Sequence, residues 1–162
     1  MILYLCRHAT AEEPTAELAD ADRALTSEGL KKFRQAARGF LTLEPVVSHI
    51  FTSPLLRARQ TAEILLDGFA HKKRSVELAI TKSLSTAPSL KSFLAEIAKL
   101  KSPGVIAVGH EPTLSQWLGE LCFASPGQTQ FKKGAIAAIN LERRAGELLW
   151  LMQPAQLRGL SS

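Results

Sequence analysis

Three short, mainly apolar runs constrain this chain more than any other feature. Met1–Cys6, Val46–Thr52 and Val105–Gly109 are each followed by a longer stretch with helical periodicity. Runs of this length without regular polar alternation suit strands covered on both faces. They are too short for a membrane span or a signal-peptide core. After the first run, a polar, Glu-rich stretch from Ala11 to Ala24 reads as a surface loop. Thr26 then caps a helix to about Leu43, with Leu30, Phe33, Ala37, Phe40 and Leu41 on one face and Pro45 ending it. Ser53-Pro54 reads as a serine N-cap with proline at the first helical position. Leu55, Ala58, Ala62, Leu65 and Phe69 form the buried face of that helix, and Asp67-Gly68 and the loop from His71 to Arg74 terminate it.

Val76–Ile80 reads as a short strand, and Pro88-Ser89 opens a helix with Leu90, Phe93, Leu94, Ile97 and Leu100 on one side. A further helix runs from Pro112 to about Phe123, with Leu114, Trp117, Leu118 and Leu121 inward. After a break at Ser125-Pro126-Gly127, Ala135–Leu141 and Glu147–Met152 read as strands joined by a turn at 143–146. Strands alternating with helices imply an α/β domain with a mainly parallel sheet. The expected organisation is one domain over residues 1–162, with a loosely held tail from about 154.

Open parallel sheets bind ligands beyond the C-terminal ends of their strands, and here three strands end in unusual polar groups. The first delivers Arg7 and His8, the second Ser53 and then Arg57, and the third His110. Two arginines and two histidines on one lip, with a helix N-terminus behind Ser53, suit a phosphoryl group. A neutral imidazole is a competent nucleophile toward phosphorus without a metal. Competing chemistries lack their residues. Three aspartates (Asp20, Asp22, Asp67) and no HExxH spacing argue against a metal, so no cofactor is expected. The positions six after Cys6 and Cys122 are Glu12 and Gln128, not the arginine a cysteine phosphatase needs. Asp20-Ala-Asp22 lies in a polar loop rather than just after a strand, and no glycine-rich phosphate loop is present. His49 and His71 read as a strand-edge and a loop residue.

The net charge of +5 favours anionic partners. The basic runs Lys72-Lys73-Arg74, Lys132-Lys133 and Arg143-Arg144 are scattered, aromatics are 6%, and no stacking stripe accompanies them. They read as solvated loops, and no nucleic-acid or membrane partner is expected. Two cysteines make no disulfide framework, and the expected compartment is the cytoplasm.

Three segments in order resemble the histidine phosphatase superfamily, which includes the cofactor-dependent phosphoglycerate mutases. Arg7-His8-Ala9 matches its Arg-His-Gly signature. Ser53-Pro-Leu-Leu-Arg57-Ala-Arg-Gln-Thr-Ala62 and Val108-Gly-His110-Glu-Pro112 match two further segments, and Leu25-Thr26 with Gly29 also fits. The resemblance runs from Met1 to about Pro154 and is strongest to SixA-type phosphohistidine phosphatases. It implies a three-layer α/β/α sandwich and a metal-independent phosphatase with a phosphohistidine intermediate. His8 would be the nucleophile, Arg7 and Arg57 the phosphate clamp and His110 the second pocket histidine, with Ser53 also binding phosphate. The implied partner is a phosphohistidine-bearing protein such as a phosphotransfer domain, met by a monomeric chain. A small-molecule phosphomonoesterase and a non-catalytic phosphopeptide-binding module are the alternatives. Two departures bear on the site. Ala9 in place of glycine adds a Cβ beside the pocket. The segment Ser83–Ser89, where larger members carry an acidic proton donor, has no carboxylate; His110, Glu111 and Glu12 are the remaining proton sources nearby.

Overall fold

The apolar runs become adjacent strands of one sheet. In the computed structural model, which describes all residues except 124, 126–128, 143, 144 and 162, six strands lie in the order β3-β2-β4-β1-β5-β6. β1 (Ile2–Arg7), β2 (His49–Thr52), β3 (Glu77–Ile80) and β4 (Gly104–Gly109) are parallel neighbours where they pair. β5 (Ile136–Asn140) runs antiparallel to β1, and β6 (Glu147–Met152) pairs antiparallel with β5. The sheet is therefore mainly parallel, and the last two strands pair directly. The break expected at Ser125-Pro126-Gly127 and the turn expected at 143–146, with its Arg143-Arg144 run, fall largely outside the described residues.

Consecutive strand residues go to opposite cores, which is why the strands lack polar alternation. Tyr4, Cys6, Ile50, Ile106, Val108 and Ile136 pack beneath α1 (Ser27–Thr42) and α2 (Leu56–His71), against Phe33, Phe40, Leu65 and Phe69. Leu3, Leu5, Phe51, Val105, Ala107 and Ala137 pack beneath α3 (Leu90–Ile97) and α4 (Thr113–Cys122), against Phe93, Ile97, Leu114 and Trp117. Helices on both faces give the three-layer α/β/α arrangement. Among the described residues, no helix is long and apolar enough to cross a membrane, and Cys6 and Cys122 are free thiols.

Thr26 caps α1 as its sequence implies, its hydroxyl accepting from the Gly29 amide at 2.9 Å. Three local expectations fail for physical reasons. Ser53 does not cap α2, because the helix begins only at Leu56 with an extended Leu55 as its N-cap residue, and the Ser53 hydroxyl is engaged elsewhere. Asp67-Gly68 does not end α2, which runs on to His71 and ends at the expected 71–74 loop. Gly68 instead marks close helix contact, since a Cβ there would lie 2.6 Å from Leu41 Cδ1 on α1. The tail is not loose: α5 (Pro154–Gly159) docks on α1 with Leu157 fully buried. Its six residues are too few to show helical periodicity in sequence, and a single buried leucine anchors them.

Candidate active site

Strand order places the three polar ends side by side, because β4 lies between β2 and β1. Arg7 pairs with Gly109 and Thr52 with Val108, so the strands finish at one level. Two backbone bonds carry this alignment past the strand ends. The His8 amide donates to Gly109 O and the Ser53 amide to Val108 O, each at 3.0 Å. The His8 and His110 rings consequently sit with centroids 5.1 Å apart. Arg57, one helical residue into α2, is also buried here, whereas Arg59 is exposed.

His8 is 6% exposed and its Nδ1 lies 2.7 Å from the carbonyl of Ala9. A carbonyl only accepts, so Nδ1 carries the hydrogen of the neutral ring and Nε2 carries the lone pair. Burial pushes the His8 imidazole down to about 3, opposed by the Ala9 hydrogen bond and reinforced by His110, Arg57 and Arg7. His110 falls to about 4, again chiefly through burial, with Arg57 adding to it and Asp20 opposing. Both rings are neutral at pH 7. An unfolded chain protonates histidine near 6.5, so between about 6.5 and these values it binds protons that the folded state refuses. Stability therefore falls as pH drops through that window. In urea titrations from pH 7 to pH 4, His8→Ala should lose less stability than the parent chain. Identical slopes would mean that His8 ionises normally.

The arginines are held by carbonyls. Arg7 Nη1 donates to Phe131 O at 2.6 Å. Arg57 Nη1 donates to Asp20 O at 2.7 Å and Nη2 to Asp20 Oδ2 at 3.1 Å. These contacts engage one N–H of Arg7 and two of Arg57, and the Nε of each arginine is buried without a partner. Ser53 faces His110. It is fully buried, and its hydroxyl lies 2.7 Å from His110 Nε2 and 3.4 Å from the Leu55 amide, so it orients His110. The Ala9 methyl group joins the core with Ala11, Leu25 and Phe33 instead of narrowing the ligand space. The Ala9 amide donates to Thr61 Oγ1, which itself donates to Arg57 O, so the strand end and α2 are tied together.

Sequence reading misses Asp20. It lies in a one-turn 3-10 segment (Asp20–Asp22) of the acidic loop, and Arg23 also binds it at 2.7 Å. The Arg23 and Arg57 hydrogen bonds hold its carboxyl below the usual range, so it is an anionic partner rather than a proton donor. Nothing in a polar loop signals contact with an arginine 37 residues later. Glu12 is exposed, and its backbone carbonyl enters this network by accepting from Arg23 Nε. Elsewhere, His49 meets Ser48 and Glu77, and His71 closes α2 on Asp67 O. Among the described residues, no cluster of three or more histidine, cysteine or acidic side chains is disposed to hold a metal.

The model of the histidine phosphatase superfamily (branch 1) matches residues 3–84. An uncharacterized protein of Picosynechococcus sp. is 33% identical over 144 residues, 86% of this chain and 85% of its own. Phosphohistidine phosphatase SixA of Escherichia coli is 26% identical over 161 residues, 98% of this chain and 97% of its own. A solved structure of the protein histidine phosphatase SixA with tungstate has a TM-score of 0.83 at 25% identity, covering 97% of this chain and 99% of that one. With the family model matched over half its length and a 33%-identical relative over most of it, the chain belongs to the histidine phosphatase superfamily.

Proposed function

We propose that this protein is a metal-independent phosphatase that hydrolyses phosphohistidine on a protein, through a phosphohistidine intermediate on His8. The observation that carries the reading is the state of His8. It is a neutral imidazole with Nδ1–H tied to a backbone carbonyl and a lone pair on Nε2, beside two arginines and a second neutral histidine. Nε2 attacks phosphorus, and the bond from phosphorus to the leaving nitrogen breaks as that imidazole takes or retains a proton. Water then attacks the phosphorus on His8, releasing phosphate and regenerating the neutral ring. Arg7 and Arg57 take the charge spread over the phosphoryl oxygens, while His110, set by Ser53, offers a further contact.

The substrate class follows from the proton inventory. The segment Ser83–Ser89 carries no carboxylate, the Asp20 carboxyl is held in its ionised form, and the Glu111 carboxyl has one oxygen on Ser115 and the other buried, so neither is offered to a leaving group. An alkoxide leaves slowly without a proton donor, whereas a phosphoramidate has a weak P–N bond and an imidazole leaving group that protonates near neutral pH. The named activity of the Escherichia coli relative supports the same class. The basic surface suits an acidic protein partner.

The test offers phosphohistidine protein, an aryl phosphate and 3-phosphoglycerate to the protein in the presence of EDTA. Phosphohistidine should disappear with a kcat/KM at least about tenfold above that for either ester. Persistence of phosphohistidine, or a requirement for metal, would refute the reading, and preference for an ester would make the protein a small-molecule phosphatase. Arg57→Lys removes the planar fork and should cost about 10²-fold in kcat/KM, while Arg59→Lys, on the exposed face, should cost less than twofold. Equal effects would mean that the buried guanidinium does not touch the phosphoryl group.

A further inference from the structure

Glu111 follows His110 at the mouth of α4, and the hydrogen bonds around it do not balance if it is ionised. Ser115 Oγ lies 2.5 Å from Glu111 Oε2 and 2.5 Å from the backbone carbonyl of Thr129. Both partners are acceptors when Glu111 is a carboxylate, yet a serine hydroxyl has one hydrogen to give. If Glu111 carries a proton, the count closes: Oε2–H donates to Ser115 Oγ, and Ser115 O–H donates to Thr129 O. One further feature fits the neutral acid. Glu111 Oε1 is buried without a hydrogen-bond partner, which is far more costly for a carboxylate oxygen than for an acid carbonyl. Arg7 is the nearby cation that favours ionisation, but its hydrogen bond goes to Phe131 O and not to Glu111. Burial pushes the Glu111 carboxyl up, against the pull of Ser115 and Arg7.

We propose that Glu111 is held as a neutral carboxylic acid whose proton closes a Glu111–Ser115–Thr129 clasp, and that this clasp positions Arg7 for the phosphoryl group. Thr129 lies two residues before Phe131, whose buried carbonyl holds the Arg7 guanidinium at 2.6 Å. Glu111 acts through Arg7 and is a positioning residue, since one carboxyl oxygen is on Ser115 and the other is buried. Ionisation removes the proton on which both short contacts depend. It also places a full negative charge beside Arg7, which is then drawn from Phe131 and from the ligand. Arg7 on β1 is the charged group that faces Glu111, while the neighbouring His110 ring is turned to Ser53. Activity should therefore decline as pH rises through the Glu111 titration.

This inference rests on the proposed phosphatase reading only for its kinetic arm. Carboxyl ¹³C NMR of glutamate-labelled protein, with the Glu111 resonance assigned by its loss in Glu111→Gln, should show titration above the ordinary glutamate range of about 4.3. Titration in the ordinary range would overturn the proposal whether or not the protein turns over substrate. In pH profiles of kcat/KM, Glu111→Gln keeps a neutral donor toward Ser115. It should match the parent within about twofold near neutrality and lack its alkaline decline. Glu111→Ala should lose about tenfold, mainly through KM, at every pH. Equal damage from glutamine and alanine would overturn the clasp. If no substrate is turned over, the same comparison is made on the affinity of inorganic phosphate by calorimetry. That outcome refutes the reaction and still decides the clasp.

Discussion

His8→Ala is expected to lower kcat by on the order of 10⁴-fold while the protein stays folded. The size follows from what the imidazole does in the proposed reaction. Without Nε2 no covalent intermediate forms, and the remaining route is direct attack of water on a phosphoryl group polarised by Arg7 and Arg57. Water would have to replace a nucleophile already held by a backbone carbonyl and flanked by two cations. The fold should tolerate the change, because the backbone bond from His8 N to Gly109 O is independent of the side chain. The imidazole's single resolved hydrogen bond is local, to the next residue's carbonyl. Two measurements check this: steady-state kinetics, and alkaline quench of the parent enzyme to trap phosphate on His8. A variant that keeps more than about one hundredth of the activity would place the nucleophile elsewhere, as would trapped phosphate on any other residue. Trapped phosphate without turnover would mark a binding module.

How far such a site is legible from residues alone depends on how local its physics is. Arg7, His8, Arg57 and His110 each stand at or just after a strand end, where the hydrophobic pattern stops abruptly, and parallel β-sheets gather such ends at one edge. Their convergence follows from topology once β4 is known to lie between β1 and β2. Ser53 is readable as a site residue, but its contact with His110 is not. The serine-proline pair looks the same whether the hydroxyl caps a helix or holds a histidine, and only the approach of β4 decides. Asp20 was not readable, because its contact with Arg57 depends on how a loop folds back over the sheet. Glu111 was visible as a carboxyl near the site, whereas its protonation depends on Ser115 and on Thr129, which comes from another segment. Residues placed by the main chain's own periodicity could be inferred; those placed by a loop or by competition for one hydrogen could not.

The C-terminal helix is a part of the fold whose disturbance should reach the site. Gly39→Ala should destabilise the protein by about 2–3 kcal/mol, although alanine is the better helix former by about 1 kcal/mol. A Cβ at position 39 would lie 1.7 Å from the Leu157 carbonyl oxygen and 2.8 Å from its carbonyl carbon. Those are backbone atoms of α5 and cannot rotate away, so α5 must lift from α1. Lifting exposes Leu157, worth about 1.5–3 kcal/mol. It also strains the bonds that Gln153 makes to the 130–132 segment, from Nε2 to Gln130 O and from Lys132 N to Oε1. That segment carries the carbonyl that holds Arg7, so the loss should extend to the site. The expected melting temperature is lower by roughly 4–12 °C at 2–4 °C per kcal/mol, with a raised KM at temperatures where the variant is still folded. Leu157→Ala should reproduce both effects. Gly159→Ala, whose added Cβ meets nothing within 4 Å, should melt within about 2 °C of the parent. A Gly39→Ala protein that melts at or above the parent would show that α5 can shift without loss. The helix would then be an appendage to the pocket and not one of its supports.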